Sequence, residues 1–178
     1  MSLSTADILL KYSVTTGAAG NSTVGTQAGS LGKYISTTAP TDNSLNNWFG
    51  DYAVTDNTGL VVKYRCLFVH NNNGTSSTWN SAAVYLGPVS SPGVSMAISV
   101  DTTGITAIGS SSAQAKTIAN ELTAPSGQTF SSPTTSGAAL TIGNIPAGSC
   151  CAVWVQLTGT NSVAVFNDSI PLNFTGTT

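Results

Sequence analysis

Short runs in which hydrophobic and polar residues alternate make up most of the chain, and glycine, proline and asparagine separate them. The segment 60–70, LVVKYRCLFVH, is rich in β-branched and aromatic residues, which predicts a strand. The turn-forming run NNNGTSST follows it, and the next strand is predicted at 79–87, so we expect these two strands to pair as a hairpin. Further strands are predicted at 94–100, where the turn sequence DTTG follows, and at 127–132, 138–143, 151–158 and 169–176.

Helical patterns are scarce in this sequence. The segment 111–122, SSAQAKTIANEL, contains helix-forming residues, but its β-branched residues and the TAPSG that follows fit an edge strand as well, and both interpretations stay open. The segment 43–53, NSLNNWFGDYA, could form one short helical turn. Seven or more short strands separated by turn residues predict an all-β fold, an antiparallel β-sandwich of the jelly-roll or immunoglobulin-like type.

The first third of the chain differs from the rest. The segment 13–30, SVTTGAAGNSTVGTQAGS, has almost no side chain large enough to anchor a core. It predicts an extended arm, either flexible or ordered against a neighbouring molecule. We therefore divide the chain into an N-terminal segment with this arm at 1–35 and a β-sandwich domain at 36–178. Small residues allow close backbone contact, so the candidate contact residues in the arm are Ser13, Gly17, Gly20, Gly25 and Gly29.

Charge and hydropathy narrow the choice of partners. Only 7% of the residues are charged, and the five lysines and arginines are scattered, so no basic surface that tracks nucleic acid is expected. No apolar run is long enough for a membrane helix, and the first residues lack the features of a signal peptide, which predicts synthesis in a cytoplasm. A neutral surface of serine, threonine and asparagine suits a protein that packs against other copies or another protein.

The adjacent cysteines in IGNIPAGSCCAVWVQL are the most conspicuous candidate for chemistry. Neighbouring residues on a strand point to opposite faces, so Cys150 and Cys151 cannot bind one metal from a regular strand. The chain offers three cysteines and one histidine without a CxxC spacing, which does not provide a zinc site. We expect Cys151 to share a buried face with Val153 and Val155, and Cys150 to lie with Ala152 and Trp154.

No other residues suggest catalysis or a cofactor. His70, the only histidine, ends a predicted strand and fits a polar position at the end of a hairpin. The acidic residues show no spacing typical of paired catalytic carboxylates, and the segments DNTG and DTTG are better explained as turns than as calcium loops. We therefore expect no enzyme, no metal, no cofactor and no small-molecule substrate.

The aromatic cluster NNWFGDYA leaves three interpretations open. Trp48, Phe49 and Tyr52 lie in an asparagine-rich setting and not on a clear strand face. They could form a contact patch for another protein, since aromatic residues dominate interface energetics. They could equally stack on a sugar, or close one end of the sandwich as a hydrophobic plug.

A series of sequence blocks resembles virion structural proteins of tailed bacteriophages. The blocks are LKYS, SLGKYIS, LNNWF, YRCLFVHNNNG, APSGQTFSSP, IGNIPAGSCCAVWVQLT and NDSIPLNFTG, and in this order they cover most of the chain from Leu10 onward. The sequence departs from the resemblance at LGK, where the family has a second glycine at position 33. It also departs after Trp154, where the family often has basic residues.

The resemblance implies a virion protein synthesised in a bacterial host. Our first expectation is a capsid decoration (cement) protein on the capsid surface, whose partners are the major capsid protein and other copies of itself. The alternative within the particle is a tail, baseplate or fibre component. A carbohydrate-binding β-sandwich module is a third possibility, from a different class of protein, and it depends on Trp48, Trp79 and Tyr52.

Overall fold

A computed structural model describes residues 3–17, 22–88, 93–160 and 169–178. Within these residues, one short helix, α1 (Val54–Thr58), and two 3-10 turns (Thr5–Asp7 and Ser136–Ala138) accompany the strands. The strands are β1 (Ile8–Val14), β2 (Tyr34–Ile35), β3 (Val62–Asn71), β4 (Trp79–Leu86), β5 (Val94–Ala107), β6 (Leu140–Ile145), β7 (Ser149–Gly159) and β8 (Leu172–Thr177).

The strands form two antiparallel sheets, which confirms the predicted all-β sandwich. The larger sheet has five strands in the order β2-β1-β3-β7-β5, and the smaller has three in the order β6-β4-β8. The predictions at 60–70, 79–87, 94–100, 138–143, 151–158 and 169–176 correspond to β3 to β8, whereas β1 and β2 were not predicted.

Strands β3 and β7 form the centre of the molecule because they are buried on both faces. Leu67, Val153 and Val155 pack between the sheets against residues of β4 such as Val84. The alternate residues of β3 and β7 form a second cluster on the outer face of the larger sheet. Cys150, Ala152 and Trp154 belong to this outer cluster, as predicted.

Irregular chain covers the outer face of the larger sheet. We call residues 30–36 and 108–123 the cover layer. Buried Gln114 holds it together, because its side chain accepts a hydrogen bond from Ile35 N (3.0 Å) and donates one to Ala107 O (2.8 Å). The segment 111–122 is thus neither a helix nor an edge strand, and within it only Thr117 forms a β-bridge, with Gly32. Backbone hydrogen bonds also hold this irregular chain, such as those from Gln114 N to Lys33 O (2.7 Å) and from Ile118 N to Leu31 O (3.0 Å).

The predicted hairpin of 60–70 with 79–87 is wrong. Strand β3 pairs with β1 and β7, whereas β4 pairs with β6 and β8 in the other sheet. The connection between them crosses the sandwich, and asparagine side chains support it. Asn71 Nδ2 donates to Ser77 O and Ile145 O (both 2.9 Å), and Asn73 Oδ1 accepts a hydrogen bond from Thr75 N (2.9 Å). These bonds stabilise a bend between the sheets and not a two-stranded ribbon.

Strand β5 does not end at DTTG. Its register against β7 shifts between Val100 and Ile105, so this segment is a bulge within a longer strand. The predicted aspartate-stabilised turn is nevertheless present, since Thr103 N donates to Asp101 Oδ1 (2.7 Å) and Gly104 has a φ of 77°. The segment 127–132 is not a strand. It touches β5 through one bridge, between Ile98 and Ser131.

The described residues of the predicted arm lie on the sandwich itself, which is a correction. Strand β1 is an interior strand of the larger sheet, and Ser30 O accepts a hydrogen bond from Cys66 N (2.9 Å) in β3. Thr37 N donates to Thr23 O (2.8 Å). A boundary at residue 35 therefore does not separate two structural units among the described residues. Small residues allowed the backbone to pack in this way within the chain's own domain.

Candidate protein-binding site

The aromatic cluster closes the end of the sandwich where β3 begins and β7 ends. We call residues 22–29 and 42–61, which meet at this end, the loop end. Phe49 is buried in the core between the sheets, and Trp48 and Tyr52 are half-buried against it. Tyr52 Oη donates to Leu157 O (3.0 Å) and Val61 O (3.2 Å). The plug interpretation thus describes Phe49 well, while Trp48 and Tyr52 retain partly exposed surface.

Four charged residues form a network beside these aromatic rings. Lys63 Nζ lies 3.1 Å from Asp56 and 3.5 Å from Glu121, and Arg65 forms an ion pair with Glu121. The cations also face the rings, with Lys63 Nζ 4.4 Å from the centroid of Tyr52 and the Arg65 guanidinium 5.6 Å from that of Phe49. These distances are typical of cation–π contacts. The network ties α1, β3 and the cover layer together.

Burial and the nearby carboxylates raise the pKa of Tyr52 well above its usual value. Desolvation is the largest cause, and Asp56 and Glu121 add to it. The phenol therefore stays protonated at neutral pH. It remains a hydrogen-bond donor to Leu157 O in β7 and to Val61 O, directly before β3.

The loop end also contains buried polar atoms without a hydrogen-bond partner. They are Gln27 Nε2, Trp48 Nε1, Asn57 Oδ1 and, in the adjoining strand, Arg65 Nε. Gln27 is near the aromatic cluster, since its Nε2 is 4.0 Å from the Cβ position of Gly50. Unsatisfied buried polar groups are rare in folded proteins because each costs free energy. Four of the six such atoms among the described residues lie in or beside the loop end.

Most of the exposed large hydrophobic residues in the described part of the chain belong to the loop end. Leu45 (72% exposed) and Leu60 (60%) are two of them, whereas Leu122 (59%) lies in the cover layer, next to Glu121 of the charged network. Val24 and Val54 are also exposed and belong to the loop end. Single exposed hydrophobic residues are common, but a group of them around one end is typical of a contact surface.

The predicted contact residues of the arm differ in their burial. Ser13 is fully buried and its Oγ accepts a hydrogen bond from Gly32 N (2.9 Å), and Gly25 is buried against Ser36 and Tyr12. Neither presents surface to a partner, so these two assignments are corrected. Gly17 adopts a φ of 95° beside Thr23, and Gly29 is half-buried beside Thr26. Gly20 lies outside the described residues.

The three cysteines are buried free thiols on or between the sheets. Burial raises the pKa of Cys150 to about 11 and that of Cys151 to about 12, so both are protonated at neutral pH. In the described part of the chain, no three or more histidine, cysteine or acidic side chains are grouped so that they could hold a metal ion.

The carbohydrate-binding alternative loses part of its stacking surface in this structure. Trp79 is only 6% exposed and packs against Phe174, with ring centroids 6.4 Å apart. The Tyr52 hydroxyl is engaged by backbone carbonyls. A flat platform of Trp48, Trp79 and Tyr52 is therefore not formed.

The burial of His70 is expected to make the stability of the fold depend on pH. This residue is 1% exposed, and neither ring nitrogen has a hydrogen-bond partner among the described residues. Burial, and secondarily the charge of Lys11, lower its pKa below the ordinary 6.5. The unfolded chain therefore binds the proton more readily than the folded chain. Stability should be unaffected by this group above pH 6.5 and should decrease as pH falls below that value.

We expect His70→Phe to remove this acid sensitivity. The free energy of unfolding, measured by urea titration between pH 7.5 and 5, should fall with pH in the wild type and stay level in the variant. Because His70 is the only histidine, no other side chain has an ordinary pKa in this window. Equal slopes for both proteins would show that protonation of His70 is tolerated in the folded state.

Sequence analysis missed several residues that the structure makes conspicuous. Buried Asp101 accepts hydrogen bonds from Trp154 Nε1 (2.6 Å) and Lys116 N (2.9 Å). Lys33 adopts a φ of 77°, which lysine rarely does. The only sequence signal for this conformation of Lys33 was the block LGK, in which lysine replaces the second glycine of the resembled family. Glycine would occupy this conformation without strain.

Comparisons with known proteins identify no relative, since no family model, curated protein or solved structure matches the chain. Among the described residues, no helix has the length and apolar character needed to cross a membrane.

Proposed function

We propose that this protein is a non-catalytic virion structural protein of a tailed bacteriophage, and that it is a capsid decoration protein. In this role it binds the shell formed by the major capsid protein, associates with other copies of itself and stabilises the particle. It needs no cofactor, nucleic acid or small-molecule substrate for this function. The resemblance of the ordered sequence blocks supports the proposal of a virion structural protein. The surface of the sandwich supports the proposal that it decorates the capsid.

The loop end is the observation that carries the proposal. It combines exposed Leu45 and Leu60 with the partly exposed aromatic rings of Trp48 and Tyr52. Exposed hydrophobic residues and aromatic side chains are typical of protein–protein contact surfaces. The rest of the chain contributes few charges, which leaves little electrostatic repulsion between closely packed copies. These features favour a protein that functions in an assembly.

The copy number in purified virions tests the proposal. Quantitative mass spectrometry should find this protein in hundreds of copies per particle, in a fixed ratio to the major capsid protein. A copy number of a few to dozens would support the tail, baseplate or fibre alternative instead. Absence from the virion would contradict both.

A functional test follows from the stabilising role. Shells produced without this protein should lose DNA at a lower temperature than complete shells, and addition of the purified protein should restore the higher temperature. Addition of a heat-denatured sample is the control. Shells that bind the protein without a change in the temperature of DNA release would contradict the cement role.

A further inference from the structure

The charges that are not used inside the fold lie in two regions, the loop end and the cover layer. The network of Lys63, Arg65, Asp56 and Glu121 is internally paired. Asp101 is buried under the cover layer, and Asp7 accepts hydrogen bonds from Ser4 and Asn73. Among the described residues, the carboxylates that remain exposed without an ion pair are Asp42 and Asp51, both in the loop end.

The unpaired cations lie on the cover layer. Lys33 and Lys116 are neighbours, because Lys33 N donates to Lys116 O (3.2 Å). Lys116 is exposed, and Lys33 is half-buried with its ammonium 5.2 Å from the Tyr34 ring. Neither forms an ion pair with a described residue. Lys11, whose Nζ donates to Thr37 O (2.8 Å), contributes a third positive charge in this part of the molecule.

Lys33 is kept in a strained conformation at this position. Its φ of 77° lies in the left-handed region, where glycine has no steric cost and lysine does. The segments on either side cannot relax away, because Gly32 packs directly on Lys116 O and on the Trp154 ring. Backbone strain clusters at functional sites, and among the six described non-glycine residues with positive φ, Lys33 is the one with a charged side chain. Binding of an acidic partner by the Lys33 ammonium group would be such a function.

We infer that the loop end of one copy binds the cover layer of a second copy, with Asp42 and Asp51 facing Lys33 and Lys116. The inference deepens the proposed function, on which it rests for the expectation that copies associate. Leu45 and Leu60 would supply the apolar centre of this contact. Charge complementarity selects a second copy as the occupant, because the same chain carries exposed carboxylates in the loop end and unpaired ammonium groups on the cover layer.

Charge reversal tests the pairing directly. One variant carries Lys33→Glu with Lys116→Glu, and the other carries Asp42→Lys with Asp51→Lys. In a solution of either variant alone, like charges meet at every contact. The association constant of that variant should fall roughly tenfold per reversed pair. Sedimentation velocity at low salt measures it. A one-to-one mixture restores opposite charges at both contacts, because each Glu-bearing cover layer meets a Lys-bearing loop end. The mixture should assemble as alternating copies.

The variant with all four reversals controls for net charge, which equals that of the wild type. It should associate as the wild type does. A further control, Thr141→Glu on the exposed face of β6, changes charge on the smaller sheet and should have no effect. A monomeric wild type, unchanged association of either reversed pair, or a mixture no stronger than its components would each overturn the inference. If the protein is nevertheless abundant in virions, the proposed function stands and only this contact is wrong.

Lys33→Gly separates a binding role from a structural one. Relief of the strained φ should raise the melting temperature by roughly 2–4 °C, while loss of the ammonium group should weaken association. Ser76→Gly is the matched control, because Ser76 is exposed, has a φ of 70° and lies in the β3–β4 connection. It should raise the melting temperature and leave association unchanged. A Lys33→Gly variant that associates as tightly as the wild type would contradict a binding role for Lys33.

Discussion

Replacing Trp154 with alanine is expected to lower the free energy of unfolding by about 3–5 kcal/mol, as large truncations in a packed core do. Trp154 is fully buried at the centre of β7, beneath the cover layer. Its removal leaves a cavity between the larger sheet and that layer. It also removes the indole donor from Asp101, whose Oδ2 is 2.6 Å from Trp154 Nε1. Chemical denaturation at pH 7.5 measures the loss.

Two comparisons make this prediction specific. Trp154→Phe keeps most of the volume and loses the hydrogen bond, so the difference between the two variants isolates the cavity. Trp48→Ala removes a tryptophan that is only half-buried at the loop end, and it should cost clearly less. If Trp154→Ala and Trp48→Ala were equally destabilised, the cover layer would not seal the outer face of the sheet in solution.

The contact of Trp154 with Asp101 explains why the bulge in β5 matters. The extra residues between Val100 and Ile105 bring Asp101 under the cover layer, where one carboxylate accepts hydrogen bonds from Thr103 N, Lys116 N and the indole. A buried carboxylate is stable only when such donors surround it. The bulge, the central strand and the cover layer are therefore held by one side chain.

The central strands could be predicted from the sequence because their burial leaves a clear pattern. The segment around Cys66 and Phe68 is apolar on both faces, and the structure buries it on both faces. Strand pairing could not be predicted, since a turn-forming run does not reveal whether the next strand continues the same sheet. Asn71 and Asn73 decide this point through hydrogen bonds with Ser77, Ile145 and Thr75, and one of these partners is far away in the sequence.

The candidate site at the loop end could also be predicted only in part, because the sequence reveals local clusters but not contacts between distant segments. Trp48, Phe49 and Tyr52 were evident as a local aromatic cluster. Their charged neighbours Arg65 and Glu121 come from distant parts of the chain and meet only in the fold. The interface role of the three aromatic residues stays a prediction, and Phe49 contributes to the core more than to the surface.

The N-terminal segment was misjudged because small residues give no hydrophobic signal. Ser13, Gly25 and Ser30 are buried through backbone contacts and hydroxyl hydrogen bonds, with little apolar side-chain area involved. Periodicity methods weigh side chains and cannot detect this kind of packing.

Deleting residues 13–30 is therefore expected to prevent folding, although the division predicted from the sequence places these residues outside the β-sandwich domain at 36–178. The deletion removes the end of β1 that pairs with β2, with Ser13 opposite Ile35. It also removes Ser30 O, which accepts a hydrogen bond from Cys66 N (2.9 Å) at the centre of the larger sheet. The variant should lack a cooperative thermal transition by circular dichroism and should show collapsed amide dispersion by NMR.

A point substitution tests the same packing without shortening the chain. A Cβ atom at Gly25 would overlap the Ser36 side chain and press on Tyr12, so Gly25→Ala should lower the free energy of unfolding by about 1–3 kcal/mol. Ala28→Val is the control, because Ala28 is exposed in the same segment and should tolerate the larger side chain. If the deletion variant melts like the wild type and Gly25→Ala is silent, the contacts of this segment are dispensable. It would then act as an arm that can leave its own domain, and the contact surface of the protein would have to include it.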